Sequence, residues 1–228
     1  MTDEDEGTLS MLRLGDSFLP VGSNSLSYGL EGFVADGRVE SAADLGEFLR
    51  TYLERLLGPA DLVALRAAHA AGSEADLDGV LRADRRLHAV TLAAELRESA
   101  TRAGERLLDV QRDVHEDGFV ERYADAERAP HAHPVALGVV AARTGVPVRE
   151  ACLTCCHAFV TGLLGAAQRL FALGATAAQR LLVDLRPAMT AAVEDSADRS
   201  LDEMTPFAPL VDLLSAEHER ADRRLFLS

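Results

Sequence analysis

The apolar run from Ala151 to Gln168, interrupted by His157, constrains this chain more than any other segment. As a helix it is just long enough to cross a bilayer. Its Thr, His and Gly content, and the Gln168-Arg169 pair at one end, predict instead a helix buried at the centre of a globular fold. Elsewhere no stretch shows sustained two-residue alternation, and no Asn-Gly or Asp-Gly turn joins two apolar runs. Tryptophan is absent and aromatic residues are 5%, so the core must be built from Leu, Val and Ala, a composition suited to close-packed helices rather than sheets. With 228 residues, 48% of them hydrophobic, the chain can bury one sizeable core and is not disordered. The expected fold is all-α: a single domain over residues 1–228, with roughly ten helices packed around the long apolar one.

Local signals divide the chain. Residues 1–7 read as a disordered acidic tip. The stretch LRLGDSFLPVGSNSLSYGLEG (Leu12–Gly32) reads as a short apolar helix, a tight turn over Pro20-Val21-Gly22-Ser23, and a second helix entered through Ser23, Asn24 and Ser25. Leu26, Leu30 and Phe33 recur at helical spacing. Glycine inside a helix costs roughly 1 kcal/mol against alanine, so Gly29 with Gly32 points to another backbone packed close by. Ser41 with Asp44 forms a capping box. Gly58 is expected to end that helix and Pro59 to open the next in its first turn. Gly72 ends the latter, and Ser73 with Asp76 repeats the capping logic. A long helical stretch through Leu81, Leu87 and Leu92 has a break near His88–Thr91. Residues 95–110 form an amphipathic helix, and 112–131 are polar and irregular and read as a surface helix with loops. Pro134 starts a helix that Gly145 stops. Pro147 starts the long one, running to about Leu173. Pro187 kinks or breaks a helix over 176–193, and Pro206 and Pro209 mark a loop before the last helix.

Charge and motif chemistry narrow the function. The formal net charge is -14, which repels nucleic acid. The N-terminus MTDEDEG has neither the basic nor the apolar region of a signal peptide, so the expected location is cytoplasmic, with no membrane partner. Cys152, Cys155 and Cys156 fall on one helix face, where thiolates can bind a soft metal; as buried free cysteines they act as small apolar residues. His131 and His133 can share a divalent ion. No second Cys-x-x-Cys completes a zinc site. The turn before Asn24 lacks the phosphate-loop pattern, and the chain has no lysine to reach a phosphate. No nucleophile elbow, zincin motif or protease pair occurs. Glu217, His218 and Glu219 read as a solvated helix face. The expectation is a protein that is not an enzyme and binds no cofactor directly. Arg97, Arg102, Arg106 and Arg112 lie along one helical region, and arginine suits protein interfaces. The ending RRLFLS puts an apolar tip on a chain end, either docked on its own core or anchoring another protein.

The pattern P-x-G-S-x-x-x-S-Y-G-L-E over Pro20–Glu31 resembles the N-terminal motif of the urease accessory protein UreF family. The ending HERADRRLFLS resembles that family's tail. ELRESATRAG (Glu95–Gly104) is similar to its E-x-R-x-x-S-x-x-x-G helix, and HPVALGVVAARTGVP (His133–Pro147) to its P-V-x-x-G segment. GAAQRLFALGATAAQRLL (Gly165–Leu182) is similar to its A-x-R-L-x-x-L-G-Q-x-x-x-Q stretch, with Ala175 in place of the first glutamine and Gln179 matching the second. The resemblance implies an all-α scaffold without catalysis of its own. Such a protein is a homodimer that, with UreD (also called UreH), recruits the nickel-carrying GTPase UreG and promotes nickel insertion into the urease apoprotein. Nickel and GTP are then handled by the partner GTPase. Arg223, Arg224, Leu225, Phe226 and Ser228 in the tail (about 215–228), with Arg97, Ser99 and Gly104, become the partner-binding candidates. Tyr28, Gly29, Leu30 and Glu31 become dimer or close-packing candidates. The alternative is a helical metal-binding module, a nickel carrier or sensor using the Cys152/Cys155/Cys156 and His131/His133 clusters.

Overall fold

The computed structural model describes residues 2–21 and 28–218. Among these residues no strand occurs, and twelve α-helices follow one another. They are α1 (Asp3–Leu14), α2 (Leu30–Ala35), α3 (Ala42–Tyr52), α4 (Leu62–Ser73), α5 (Leu77–Val90), α6 (Ala94–Val114), α7 (Gly118–Ala124), α8 (His133–Arg143), α9 (Val148–Leu170), α10 (Ala175–Asp184), α11 (Arg186–Asp195) and α12 (Pro209–His218). A π-helical segment, Leu53–Asp61, joins α3 to α4, and a 3-10 turn, Leu201–Glu203, precedes α12.

Local chemistry sets most boundaries. Ser41 caps α3 as expected: its hydroxyl accepts from the Asp44 N–H while the Asp44 carboxylate accepts from the Ser41 N–H. Gly145 closes α8 with a left-handed φ of 73°, Pro147 caps α9, and Pro187 sits in the first turn of α11. The break expected near His88–Thr91 falls between the end of α5 at Val90 and the start of α6 at Ala94.

Four expectations are corrected. Residues 3–7 are not a disordered tip but the first turns of α1. Thr2 and Asp5 form a capping box, and Gly7 lets the helix lie on the loop after α8, where a Cβ would stand 2.5 Å from the Gly145 oxygen. The helix through Tyr52 does not end at Gly58. It widens into the π segment, where the Leu62 N–H reaches back five residues to the Leu57 carbonyl. Pro59 has no N–H to donate, and the wider turn absorbs that defect without ending the helix. Asp76, not Ser73, caps α5: its carboxylate accepts from the Gly79 N–H, and Ser73 donates to the His69 carbonyl instead. Gly29 is not inside a helix. It is the N-cap of α2 with φ 82°, next to Tyr28 at φ 49°, so its conformation rather than its size is what the site requires. The start expected at Ser23–Ser25, like Gly22 and Leu26, lies outside the described residues.

The core is one contiguous apolar cluster. Its tightest seam joins α4 to α8, where small residues let two backbones meet. A Cβ at Gly138 would lie 3.2 Å from both Ala68 Cβ and His69 N, and closer still to the Leu65 oxygen; one at Gly72 would lie 3.3 Å from Ala142 Cβ. The apolar α9 is mostly buried, with Cys152, Cys156, Val160, Leu163 and Ala167 fully enclosed. It packs on α8, α11, α4 and α2 and is the central helix the sequence predicts.

Candidate functional site

The helices that follow or carry two of the motif segments, α2 and α6, both meet α12, which leads into the C-terminal tail. Gly32 of α2 faces it, its absent Cβ 3.5 Å from both Leu214 Cβ and the Leu214 oxygen. Val211 and Leu214 are buried, whereas Phe207, Leu210 and Leu213 are exposed, Phe207 by 73% and Leu213 by 62%. The Phe207 N–H donates to the Arg55 carbonyl, 3.0 Å away, which fixes the turn before α12 on the π segment. Beside it lies a groove of about 690 Å³, lined by Phe33, Val39, Phe48, Arg55, Phe207 and Leu210. Apolar walls with Arg38, Asp44 and Glu47 at the edge suit another protein's apolar residues. The tail candidates Arg223, Arg224, Leu225, Phe226 and Ser228 lie outside the described residues.

Behind this surface the N-terminal motif anchors an aromatic ladder. The ring of Tyr28 stands edge-on to Tyr52 (6.0 Å) and Phe159 (5.1 Å), Tyr52 and Phe159 are 4.6 Å apart, and Phe48 and Phe33 extend the row. Leu30 is fully buried and Gly29 buried, so these motif residues pack within the chain. Two cavities, of about 70 and 100 Å³, flank the ladder and share Tyr28, Leu57, Asp61 and Ala100. Loss of solvent raises the Tyr28 and Tyr52 hydroxyls and pushes Asp61 up to about 7. Asp61 escaped sequence reasoning because an acid after Gly58-Pro59 reads as a surface charge. Its folded value lies above its ordinary 3.8, so between the two the folded chain holds more protons than the unfolded one. Its contribution to stability is therefore complete below pH 4 and lost as pH rises through 7. Asp61→Asn is expected to stabilise the chain on the order of 2–3 kcal/mol above pH 7 and flatten the pH 4–7 slope. Urea titrations at pH 4.5 and 8 measure both effects.

The α6 candidates serve internal contacts. Arg97 Nη1 donates to the carbonyls of Thr91 and Leu92, both at 2.7 Å, satisfying the end of α5. Ser99 is buried. Gly104 is where α6 crosses the backbone of residues 131–133: a Cβ there would lie 2.9 Å from both His131 C and His133 N, and closer still to the His131 oxygen. That backbone is gripped from the other side by Asp84, which is wholly buried. Its carboxylate accepts from the Tyr123 hydroxyl (2.8 Å), the His131 N–H (2.8 Å) and the Ala132 N–H (3.0 Å). The run ADRRL disguised Asp84 as a solvated charge, and Tyr123 lies in the segment read as polar and irregular.

The metal candidates do not converge. His131 Nε2 is hydrogen-bonded to the Tyr123 carbonyl at 2.9 Å. His133 lines the larger interior cavity, and desolvation holds it down to about 4. Burial pushes Cys152 up to about 11 and Cys156 to about 12, and raises Cys155 as well, so all three are thiols at neutral pH. Among the described residues no group of three or more His, Cys, Asp or Glu side chains is placed to hold a metal ion.

Comparison of the sequence with known proteins matches the chain to one family. The family model UreF matches residues 39–186. "Urease accessory protein UreF" of Trichodesmium erythraeum (strain IMS101) is 33% identical over 96% of this chain and 95% of its own length. "Urease accessory protein UreF" of Paenarthrobacter aurescens (strain TC1) is 33% identical over 96% of this chain and 97% of its own. "Urease accessory protein UreF 1" of Brucella melitensis biotype 1 is 31% identical over 97% and 93%. The chain belongs to the urease accessory protein UreF family.

Proposed function

We propose, from this family membership, that the chain is a non-catalytic scaffold for urease maturation in the cytoplasm. It acts as a homodimer, joins UreD/UreH, recruits the nickel-carrying GTPase UreG, and promotes nickel insertion into the urease apoprotein. Nickel and GTP stay with the partner GTPase. The observation that carries the reading is the α12 surface. Phe207, Leu210 and Leu213 stand in solvent where α2, α6 and the start of the tail come together. Exposed apolar clusters rimmed by charge are a mark of protein docking sites. The tail, with Arg223, Arg224, Leu225, Phe226 and Ser228, continues that surface in sequence.

A scaffold of this kind needs a surface and a stable core, and it does not need a tight metal site, which would compete with urease. The buried thiols of α9 suit such a division of labour. Phe207→Asp tests the surface without disturbing the core. Because Phe207 is 73% exposed, stability should change by no more than about 0.5 kcal/mol. Co-elution with the cognate UreD/UreH on size exclusion should be lost. Undiminished co-elution of a folded Phe207→Asp chain would remove α12 from the interface.

A further inference from the structure

A second surface, sharing no residue with the α12 face, carries an unmet hydrogen-bonding demand. It lies where the last turns of α1 and α6 meet the end of α8. Arg13 Nη2 donates to Gln111 Oε1 at 2.6 Å. That bond takes up the amide's acceptor and leaves two donors, Arg13 Nη1 and Gln111 Nε2, both buried and without an acceptor among the described residues. Gln111 is completely enclosed. The chain has 37 acidic residues, yet among the described residues Arg13 has no ion-pair partner, whereas Arg143 close by is bonded to Asp117 at 2.8 Å. Desolvation lowers the Arg13 guanidinium from its ordinary range. Buried donors are nearly always satisfied, and leaving one unmade is unfavourable. Both residues line a surface groove of about 670 Å³ together with Glu6 and Arg143, flanked by the exposed side chains of Leu9 and Val114.

We infer that this groove binds a carboxylate, presented by an acidic residue with apolar neighbours on a partner protein. Arg13 is partly exposed and lines the groove; turned toward it, its unpaired Nη1 donates to a carboxylate, which also neutralises the guanidinium. Leu9 and Val114 suit apolar residues on either side of the acid. A bridging water would satisfy the donors but leave the charge.

The probes are the peptide acetyl-Leu-Glu-Leu-amide, its Gln counterpart, and sodium acetate at constant ionic strength. The readout is the Gln111 side-chain NH₂ signal of the 15N-labelled full chain. The Glu peptide should shift it saturably, at concentrations at least tenfold below those acetate requires, and the Gln peptide should not. Arg13→Met should abolish the response. Gln111→Glu supplies an internal carboxylate to Arg13, and this variant, read on the backbone signals of α1, should fold and ignore both carboxylates. No shift, equal shifts with the Gln peptide, or an undiminished response in Gln111→Glu would overturn the site. Acetate binding as tightly as the Glu peptide would overturn the protein partner and leave a site for a small free acid.

Discussion

Gly104→Ala is expected to cost the chain at least about 3 kcal/mol, although it replaces the poorer helix former by the best one. Helix propensity alone predicts a gain of about 1 kcal/mol. The opposite sign follows from the crossing of α6 over residues 131–133. An alanine methyl at position 104 would collide with the His131 carbonyl and stand 2.9 Å from His133 N. Those are backbone atoms, and Asp84 holds the same backbone from the other side, so the obstacle has no rotamer into which to retreat. Gly165→Ala is the matched control. It lies inside α9 with nothing within 4 Å of its absent Cβ, so it should be neutral or stabilising by up to about 1 kcal/mol. Urea unfolding of both variants decides. A Gly104→Ala chain as stable as the parent would mean that α6 does not cross there.

The second large effect is expected at Asp84. Asp84→Ala removes one carboxylate and orphans three donors, the Tyr123 hydroxyl and the His131 and Ala132 amides. Each buried donor left unmade costs roughly 1–3 kcal/mol, so a total on the order of 3–9 kcal/mol is expected. Asp84→Asn keeps one oxygen and should lose about half as much. Tyr123→Phe, which removes one bond and its donor together, should be the mildest of the three. This order in thermal or urea unfolding tests the network, and equal losses for all three would contradict it.

These two sites also show what a sequence discloses and what it withholds. Signals complete within one turn of chain were legible: the Ser41–Asp44 box, Gly145 after α8, Pro147 before α9 and the break at Pro187 between α10 and α11. The central helix was legible because eighteen or so apolar residues allow few alternatives to burial. Pro59 was misread because its effect depends on the partners of the turns around it. A π segment held by packing against α11 turned a helix breaker into a helix interior. The N-terminal acids were misread for a similar reason. Thr2–Asp5 is a capping box in plain view, but its helix needs the Gly7–Gly145 contact from the far side of the fold. Of the functional regions, motif order pointed to the segments that meet at α12. It could not reveal that Gly104 and Ser99 are used internally, because a buried glycine and an interface glycine look alike in one sequence. Asp61, Asp84 and the Arg13–Gln111 pair were hidden because charged and amide residues on helices are usually solvated.

The most direct measurement is the nickel content and activity of urease matured in cells that carry the cognate urease and every accessory gene except the UreF-type one, with this chain supplied or withheld. Scaffolding of nickel insertion predicts nickel-loaded, active urease only when the chain is supplied, and loss of both with Phe207→Asp. Urease that stays nickel-free and inactive beside abundant, folded chain would contradict a role in maturation.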